Sequence, residues 1–492
     1  MKLSCINSVS FGRELRKNEE AEYSDVLNRA KKKAGNTGKS VLIVPASSLP
    51  NETAVGNLGS KKSLDFFDFA KKYWGINEIQ ILPSGKFHEH NGEFPMYSGS
   101  SMELGEQVIN IEDYASKSEL DEIIDSNKEK GRVNFSNIVN RDSKQEEILR
   151  RIYEGKKSDP SFIKFKESID KRLESKALYN VLKEINGSYD YNYWSEVDKN
   201  LYNRDAVSVE DFTKRVAEIK NAKSAEIDFY YFKQFLAEDS LRKSKEKLNH
   251  MGLKLNGDML VGFSYDELWS NPKAFHNNTS IGWGLPALNL DSNEGKQLLR
   301  DKVRFYAERY DGLRIDASWT YVNQPQIRNG FKESQYYSDK ILKIIDEEIR
   351  NVKGKDFDLK SIMHEFATSN DNFNIYQDSK LRPFLEDRMK IYTSDYLSDD
   401  WGSNDNFLKR KWNSDSFILG ARNHDSSKME VSESQAKSLG KILKIPYEKL
   451  MDVKEFIRAK LAEPMSSKHH MLFFMDALNI DKIGRASCRE RV

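Results

Sequence analysis

Short runs of apolar and β-branched residues recur along this chain, and many are followed by a stretch of helical periodicity. That alternation restricts the possible folds more than any other feature of the sequence. The runs are SVLIVP (40–45), EIQILP (78–83), GDMLVGF (257–263), GLRIDA (312–317), SIMHEF (361–366), MKIYT (389–393), FILGA (417–421) and HMLFFM (470–475), eight in all. Each has the length of a buried strand. Between them, SLDFFDFAKKYW (63–74) places Leu64, Phe67, Ala70 and Trp74 near one helical face and groups Asp65, Asp68 and Lys72 away from it. The stretch 296–310 does the same with Leu299, Val303, Tyr306 and Tyr310, and 338–352 is a third case that Ser338 can cap. Alternating strand and helix reads as parallel α/β. Eight strands with polar residues at their ends predict a (β/α)8 TIM barrel.

The 492 residues suggest about three domains by length alone, but a barrel with insertions reaches the same size. Residues 1–112 are expected to form the first part of the barrel and 242–481 the remainder. The segment 113–241, rich in lysine and glutamate and helical in pattern, is too long for one crossover and is expected to be a helical insertion between strands 2 and 3. The last residues, KIGRASCRERV (482–492), resemble codon for codon the translation of a common sequencing adapter. They are set aside, and the natural protein is expected to continue past residue 481. Without that tail Cys5 is the sole cysteine, and the net charge moves from +1 to −2 because the tail carries Lys482, Arg485, Arg489 and Arg491 against Glu490.

Composition excludes several function classes. The balance of 78 basic and 77 acidic residues gives no basic stripe for nucleic acid. No apolar run has membrane-spanning length. The N-terminus lacks the apolar core of a signal peptide, so a cytoplasmic location is the default expectation. Two cysteines form no disulfide framework. Metal ligation is not expected, since His469-His470 and His88-Glu89-His90 have no clear third ligand and no HExxH occurs. GxGxxG, Walker A and GxSxG patterns are also lacking.

The stretch YDGLRIDASWTYV (310–322) carries the most telling chemistry. Residues i and i+2 of a strand point the same way, so Arg314 and Asp316 share a face while Leu313 and Ile315 take the other. Two readings stay open: a structural ion pair, or a nucleophilic carboxylate held ionised by its arginine. Barrel enzymes place catalytic groups at the C-terminal ends of strands. The fourth strand ends in Asp316, the fifth in His364-Glu365, and Asn423-His424-Asp425 follows the seventh. The third offers Asp258 at its start, with Asp266 and Trp269 in its loop. Three carboxylates at separate strand ends suit glycoside chemistry. Each alone also has an ordinary structural reading, as a loop residue or helix cap.

These residues stand in motifs whose order resembles glycoside hydrolase family 77, the 4-α-glucanotransferases. Ser47-Ser48-Leu49-Pro50 with Val55-Gly56-Asn57-Leu58-Gly59 is similar to the family's SLP…GIGDLG opening. Ile81-Leu82-Pro83 is similar to its QxLP strand, and Phe94-Pro95-Met96-Tyr97-Ser98 to its SPYxS segment. Gly257-Asp258 through Asp266-Glu267-Leu268-Trp269-Ser270-Asn271-Pro272 resembles GDLPIxVxxDSADVWxxP. Trp283-Gly284-Leu285-Pro286, Leu313-Arg314-Ile315-Asp316 and His424-Asp425 resemble its WGLP, LRIDH and THDN elements, and 469–478 its eighth strand. The resemblance implies a barrel enzyme without a cofactor, acting on α-1,4-glucans and maltooligosaccharides. Asp316 would be the nucleophile, Glu365 the acid/base and Asp425 the carboxylate that grips sugar hydroxyls at the transition state. Arg314 would keep Asp316 ionised, and His424 would hydrogen-bond the sugar. Tyr97 would stack on that sugar and Trp283 on the acceptor, with Asp258 a further substrate-binding candidate.

The sequence departs from the family at several places. Ala317 stands where the family has histidine, Ser426 where it has asparagine and Ile281 where it has glutamine, and only the Glu survives of AEDLG in His364-Glu365-Phe366-Ala367-Thr368. The stretch before Trp283 is polar and lacks the family's PPDYF element. Alternatives are an α-glucan hydrolase on the same site, a non-catalytic glucan-binding protein, or an unrelated barrel enzyme. The retaining reading predicts Asp316 and Glu365 carboxyls roughly 5–5.5 Å apart. The eighth strand is expected to be incompletely covered.

Overall fold

The computed structural model describes residues 38–49, 51, 56–86, 101–127, 143–366, 378–393, 415–421, 431–443, 446–465 and 467–474. The chain opens with β1 (Ser40–Val44), α1 (Lys61–Trp74) and β2 (Glu78–Ile81). Seven helices among the described residues then precede the next strand: α2 (Lys117–Asn127), α3 (Lys144–Lys156), α4 (Pro160–Glu167), α5 (Lys171–Ile185), α6 (Glu196–Lys199), α7 (Val209–Ala222) and α8 (Ser224–His250). β3 (Lys254–Met259), α9 (Tyr265–Ser270), β4 (Phe275–Gly282), β5 (Leu285–Leu288) and α10 (Asn293–Arg309) follow. Next come β6 (Gly312–Ile315), β7 (Asn323–Arg328), β8 (Phe331–Tyr336), α11 (Lys340–Lys353), β9 (Ile362–Glu365), α12 (Leu381–Glu386) and β10 (Met389–Thr393). The last elements are β11 (Phe417–Gly420), α13 (Glu433–Leu443), α14 (Val453–Met465) and β12 (His470–Phe473).

Eight parallel strands close a barrel in the order β1-β12-β11-β10-β9-β6-β3-β2. These are the eight runs read from the sequence. Strand alternation divides the barrel into two environments. Leu42, Val44, Ile79, Ile81, Leu255, Met259, Leu313, Ile315, Ile362 and Leu472 face outward into one large core shared with the helices. Val41, Ile43, Met363, Met389, Ile391, Ile418, Met471 and Phe473 form a second, inner cluster. That inner cluster fills only part of the lumen. On β2, β3, β6 and β9 the inward positions are Glu78, Gln80, Asn256, Asp258, Arg314 and Glu365, all buried. The barrel therefore has an apolar half and a polar half, and the site forms on the polar half.

Local chemistry explains the element ends. Ser60 accepts from the Ser63 N–H and caps α1, so the helix starts ahead of the first apolar residue; Gly75, at φ 65°, ends it with an N–H bonded back to Ala70 and Lys71. β3 starts and ends earlier than its apolar run, at KLNGDM, because buried Asn256 and Asp258 take inward places that apolar residues take elsewhere. Asp258 thus lies near the C-terminal end of β3, not at its start. Ser338 does not cap the helix that follows it. Its φ is 55°, its hydroxyl donates to Asp378 at 3.0 Å, and Asp339 occupies the N-cap place. β12 is buried along its length rather than incompletely covered. Beside it, Phe474 packs edge-on to Phe66 at 5.4 Å.

A second sheet, β5-β4-β7-β8, lies among the loops after β3 and β6. The sequence did not announce it: β4 reads FHNNTSIG, and all six residues of β8 are exposed. The helices between β2 and β3 are tied to this end of the barrel by Lys176 of α5. Its buried ammonium bridges Asp266 at 2.6 Å and Glu267 at 2.8 Å on α9.

Two predictions follow from outward-facing positions. A Cβ at Gly257 would lie 2.3 Å from Cδ2 of Tyr310, a buried ring whose hydroxyl shares a 2.6 Å hydrogen bond with Ser84. Gly257→Ala should therefore lower unfolding free energy by about 1–3 kcal/mol in urea titration. At helical Gly155 a Cβ meets nothing within 4 Å. Gly155→Ala should gain roughly 0.5–1 kcal/mol, and equal midpoints for the two variants would contradict the packing account.

His364, on the outer face of β9, is registered with Lys390 of β10. Burial, then the charges of Arg388 and Lys390, push its imidazole from 6.5 down to about 3. The unfolded chain binds a proton at His364 between those values and the folded chain does not. Stability should fall as pH drops from 6.5 toward about 3. His364→Gln should flatten the slope of unfolding free energy against pH by up to about 1.4 kcal/mol per pH unit in that window; an unchanged slope would refute it.

Candidate active site

The polar half of the lumen centres on one guanidinium. Arg314, inward on β6 and 2% exposed at its side chain, reaches three carboxylates from three strand ends. Its Nη1 donates to both oxygens of Asp258 at 2.7 and 2.8 Å. Its Nη2 donates to Glu365 Oε2 at 2.6 Å and lies 3.1 Å from Asp316 Oδ1. The shared strand face read from the sequence is thus occupied as expected, and the arginine serves more than its neighbour two positions on.

Backbone groups complete the carboxylate shells. The Asp316 N–H donates to Met259 O at 3.1 Å, which laces β6 to the end of β3. Val261 N–H donates to Asp316 Oδ2 at 3.3 Å. Ala317 N–H donates to Glu365 Oε2 at 3.3 Å. Ala317 holds φ 43°, in the left-handed region, where the chain turns out of β6. The position that carries histidine in the resembled family therefore contributes a backbone donor here.

Three carboxylates, Asp258 and Glu365 buried and Asp316 partly so, share one guanidinium, so the full ionisation of all three is disfavoured. Asp316 and Glu365 resolve this by hydrogen bonding to each other. Burial drives Asp316 well above the usual carboxylate range; Arg314 opposes this, and the charges of Glu365 and Asp258 add to it. Burial also pushes Glu365 up, but Arg314 and the bonds from Asp316, Arg314 and the Ala317 N–H outweigh it and hold that carboxyl at about 2. The two carboxyls titrate as a coupled pair, with Asp316 pushed up and Glu365 held down.

Asp258 is a correction to the sequence reading. Its side chain is 0% exposed and both oxygens are engaged by Arg314, with Gln80 Nε2 at 3.5 Å from Oδ2. It braces the guanidinium and is not open to a sugar. Trp283 is open. It sits in a turn where Gly282, Trp283 and Gly284 have φ 99°, 51° and 73°, and it is 66% exposed. Tyr265 of α9 pins the turn by donating to Gly284 O at 3.0 Å. The Trp283 ring lies 6.2 Å from that of Trp319, three residues beyond Asp316. Tyr97, His424 and Asp425 lie outside the described residues.

Sequence reasoning missed Gln80, Trp319 and Lys302. Gln80 directly precedes Ile81-Leu82-Pro83, and Trp319 falls within the stretch that carries Arg314 and Asp316. Lys302 interrupts the buried helical stripe of Leu298 and Tyr306, which was a readable signal.

Arg314→Lys provides a direct test of the guanidinium's geometry. An ammonium cannot span Asp258 and Glu365 from a planar fork. The variant should lose stability by up to about 3–5 kcal/mol, the range for breaking a buried ion pair. A variant as stable as the parent in urea would show that the three-way bridge is not needed.

The fold agrees with that of known proteins. Residues 44–317 match the family model Glyco_hydro_77, described as 4-alpha-glucanotransferase. The 4-alpha-glucanotransferase of Clostridium butyricum is 25% identical over 305 residues, covering 55% of this chain and 58% of that protein. The 4-alpha-glucanotransferase of Thermus thermophilus is 25% identical over 307 residues, covering 56% and 57%. The matched stretch thus spans little more than half the length of these relatives. Among solved structures, amylomaltase from Streptococcus agalactiae in complex with acarbose superposes with a TM-score of 0.66 at 15% identity, covering 90% of this chain and 91% of that one. Amylomaltase from Corynebacterium glutamicum gives 0.65 at 11% identity, covering 91% and 69%. Since the family model covers more than half of the chain, this protein belongs to glycoside hydrolase family 77, the 4-alpha-glucanotransferase family.

Proposed function

We propose that this protein transfers α-1,4-glucan segments between maltooligosaccharides by a retaining double displacement. The observation that carries the reading is the Arg314 bridge, which draws Asp316 and Glu365 together at the C-terminal ends of β6 and β9. In this reading an oxygen of Asp316 attacks C1 of the donor sugar. The bond from C1 to the leaving oxygen breaks, and Glu365 gives that oxygen a proton. A glycosyl ester on Asp316 results. Glu365, now a base, takes the proton from the 4-hydroxyl of an acceptor glucan; that oxygen attacks C1, and Asp316 leaves as a carboxylate.

The proton must start on Glu365, although its surroundings hold that carboxyl low and push Asp316 up. Entry of a sugar supplies the exchange. The retaining geometry requires the carboxyls to part to about 5–5.5 Å. Glu365 then swings from Arg314 Nη2 toward the glycosidic oxygen and takes a proton from Asp316. Arg314 is left to Asp316 and Asp258, which favours the charged form of Asp316. Within the same proposal Asp425 and His424 hold sugar hydroxyls, and Tyr97 stacks on the donor sugar. Trp283 offers an exposed ring to the acceptor, where sugar must compete with water. The acarbose held by the Streptococcus agalactiae amylomaltase supports an oligosaccharide-like ligand for this fold.

The test is incubation of the purified protein with maltotriose alone, with products resolved by length. Glucose together with longer maltooligosaccharides is expected. Glucose and maltose without longer products would make the enzyme a hydrolase, and no change would count against catalysis on this substrate. Asp316→Asn should lower turnover by about a thousandfold or more while maltooligosaccharide binding persists.

A further inference from the structure

The loop that leaves β3 is gripped on both edges. On one edge lies Asp316, which donates its N–H to Met259 O at 3.1 Å and accepts the Val261 N–H on Oδ2 at 3.3 Å. On the other edge lies Lys302 of α10, whose ammonium donates to Leu260 O at 2.5 Å and to Gly262 O. The Leu260 carbonyl and the Val261 N–H belong to one planar trans peptide and so point in opposite directions, the carbonyl to Lys302 and the N–H to Asp316. Lys302 and Asp316 thus hold the same four-residue stretch from opposite sides.

Lys302 is an expensive residue to place there. It is 0% exposed, and among the described residues its hydrogen bonds go to backbone carbonyls and not to a carboxylate. Burial pushes its ammonium down to about 8, with Glu267 and Asp316 as the charges that oppose the shift. It therefore remains mostly cationic at neutral pH. Its ammonium also stands 4.6 Å from the ring centroid of Phe263. The grip fixes the direction of one N–H. Without it, the Leu260 and Gly262 carbonyls lose their donor, and the loop can rotate the Val261 N–H away from the carboxylate. A donor on the non-attacking oxygen stabilises the charged form and sets the direction of the attacking one.

We propose that Lys302 is a positioning residue for Asp316, acting through the Leu260 and Gly262 carbonyls to hold the Val261 N–H on the nucleophile's second oxygen. This rests on the reading of Asp316 as nucleophile given above. Lys302→Met keeps the length of the side chain and removes its donors. Lys302→Arg keeps charge and donors. On maltotriose, Lys302→Met is expected to lower kcat by about ten- to a hundredfold with KM nearly unchanged, and Lys302→Arg to restore most of the loss. A folded Lys302→Met with unchanged kcat overturns the proposal. So does an equal loss in both variants accompanied by an equal fall in thermal midpoint, which marks a purely structural role. A second readout needs no turnover: carbon-13 NMR titration of the Asp316 carboxyl, assigned with Asp316→Asn. Its apparent pKa should rise in Lys302→Met and return toward the parent value in Lys302→Arg; no change overturns the proposal. If the unaltered protein transfers no glucan, the function reading fails on that result alone, and the titration still decides the role of Lys302.

Discussion

The Arg314 guanidinium is the interaction on which the polar half of the barrel depends. A carboxylate removed from water is costly unless paired, and here Asp258, Asp316 and Glu365 come from three adjacent strands to a single cation. The arginine's planar fork makes this possible, because its two terminal nitrogens serve different partners. Below it the polar chain continues: Gln80 meets Asp258, while Asn256 donates to Glu78, which also binds Lys39 at 2.6 Å. These inward positions could have been filled by apolar residues, as they are on β1, β10, β11 and β12. They are polar because the strand ends above them are.

One cation cannot fully neutralise three anions, and the imbalance gives the site its character. Burial pushes Asp316 up, with the charges of Glu365 and Asp258 adding to it, while Arg314 outweighs burial at Glu365 and holds that carboxyl down. In the proposed mechanism acid catalysis at Glu365 needs a proton, and its hydrogen bond with Asp316 is the path by which one arrives. In that same proposal the positive charge of Arg314 is left to Asp316 once Glu365 turns to the glycosidic oxygen. Asp258, with both oxygens on Nη1, anchors the guanidinium independently of the contacts of Nη2.

Much of this architecture was legible in the sequence, for a physical reason. Barrel strands must bury an outward apolar face, so Leu42, Ile79, Leu313 and Ile362 leave a pattern that survives without knowledge of the fold. Arg314 and Asp316, two apart on one such strand, announce an ionic cluster in the lumen by the same alternation. What escaped is what lacks an apolar partner. β4 is largely polar and only partly buried, and β8 is exposed throughout, so neither carries an alternation to read. β3 was shifted because Asn256 and Asp258 take buried positions through hydrogen bonds rather than hydrophobicity. The role of Asp258 depends on a contact 56 residues away, which spacing alone does not encode. Lys302 violates the apolar stripe of α10, and such a violation signals a specific partner, although it does not name one.

The family match ends at residue 317, and the physical site does not. Arg314 and Asp258 lie inside the matched stretch, but the partner that completes the charge distribution, Glu365, lies on β9 beyond it. β6 and β9 are registered neighbours, with Ile315 opposite His364, so Glu365 is delivered to Arg314 by strand pairing and not by any local motif. Ala317 marks the junction. Its left-handed backbone turns the chain out of β6 and its N–H donates to Glu365, a role that needs no particular side chain. A position can thus change its side chain and keep its contribution, provided that the backbone geometry is fixed by its neighbours.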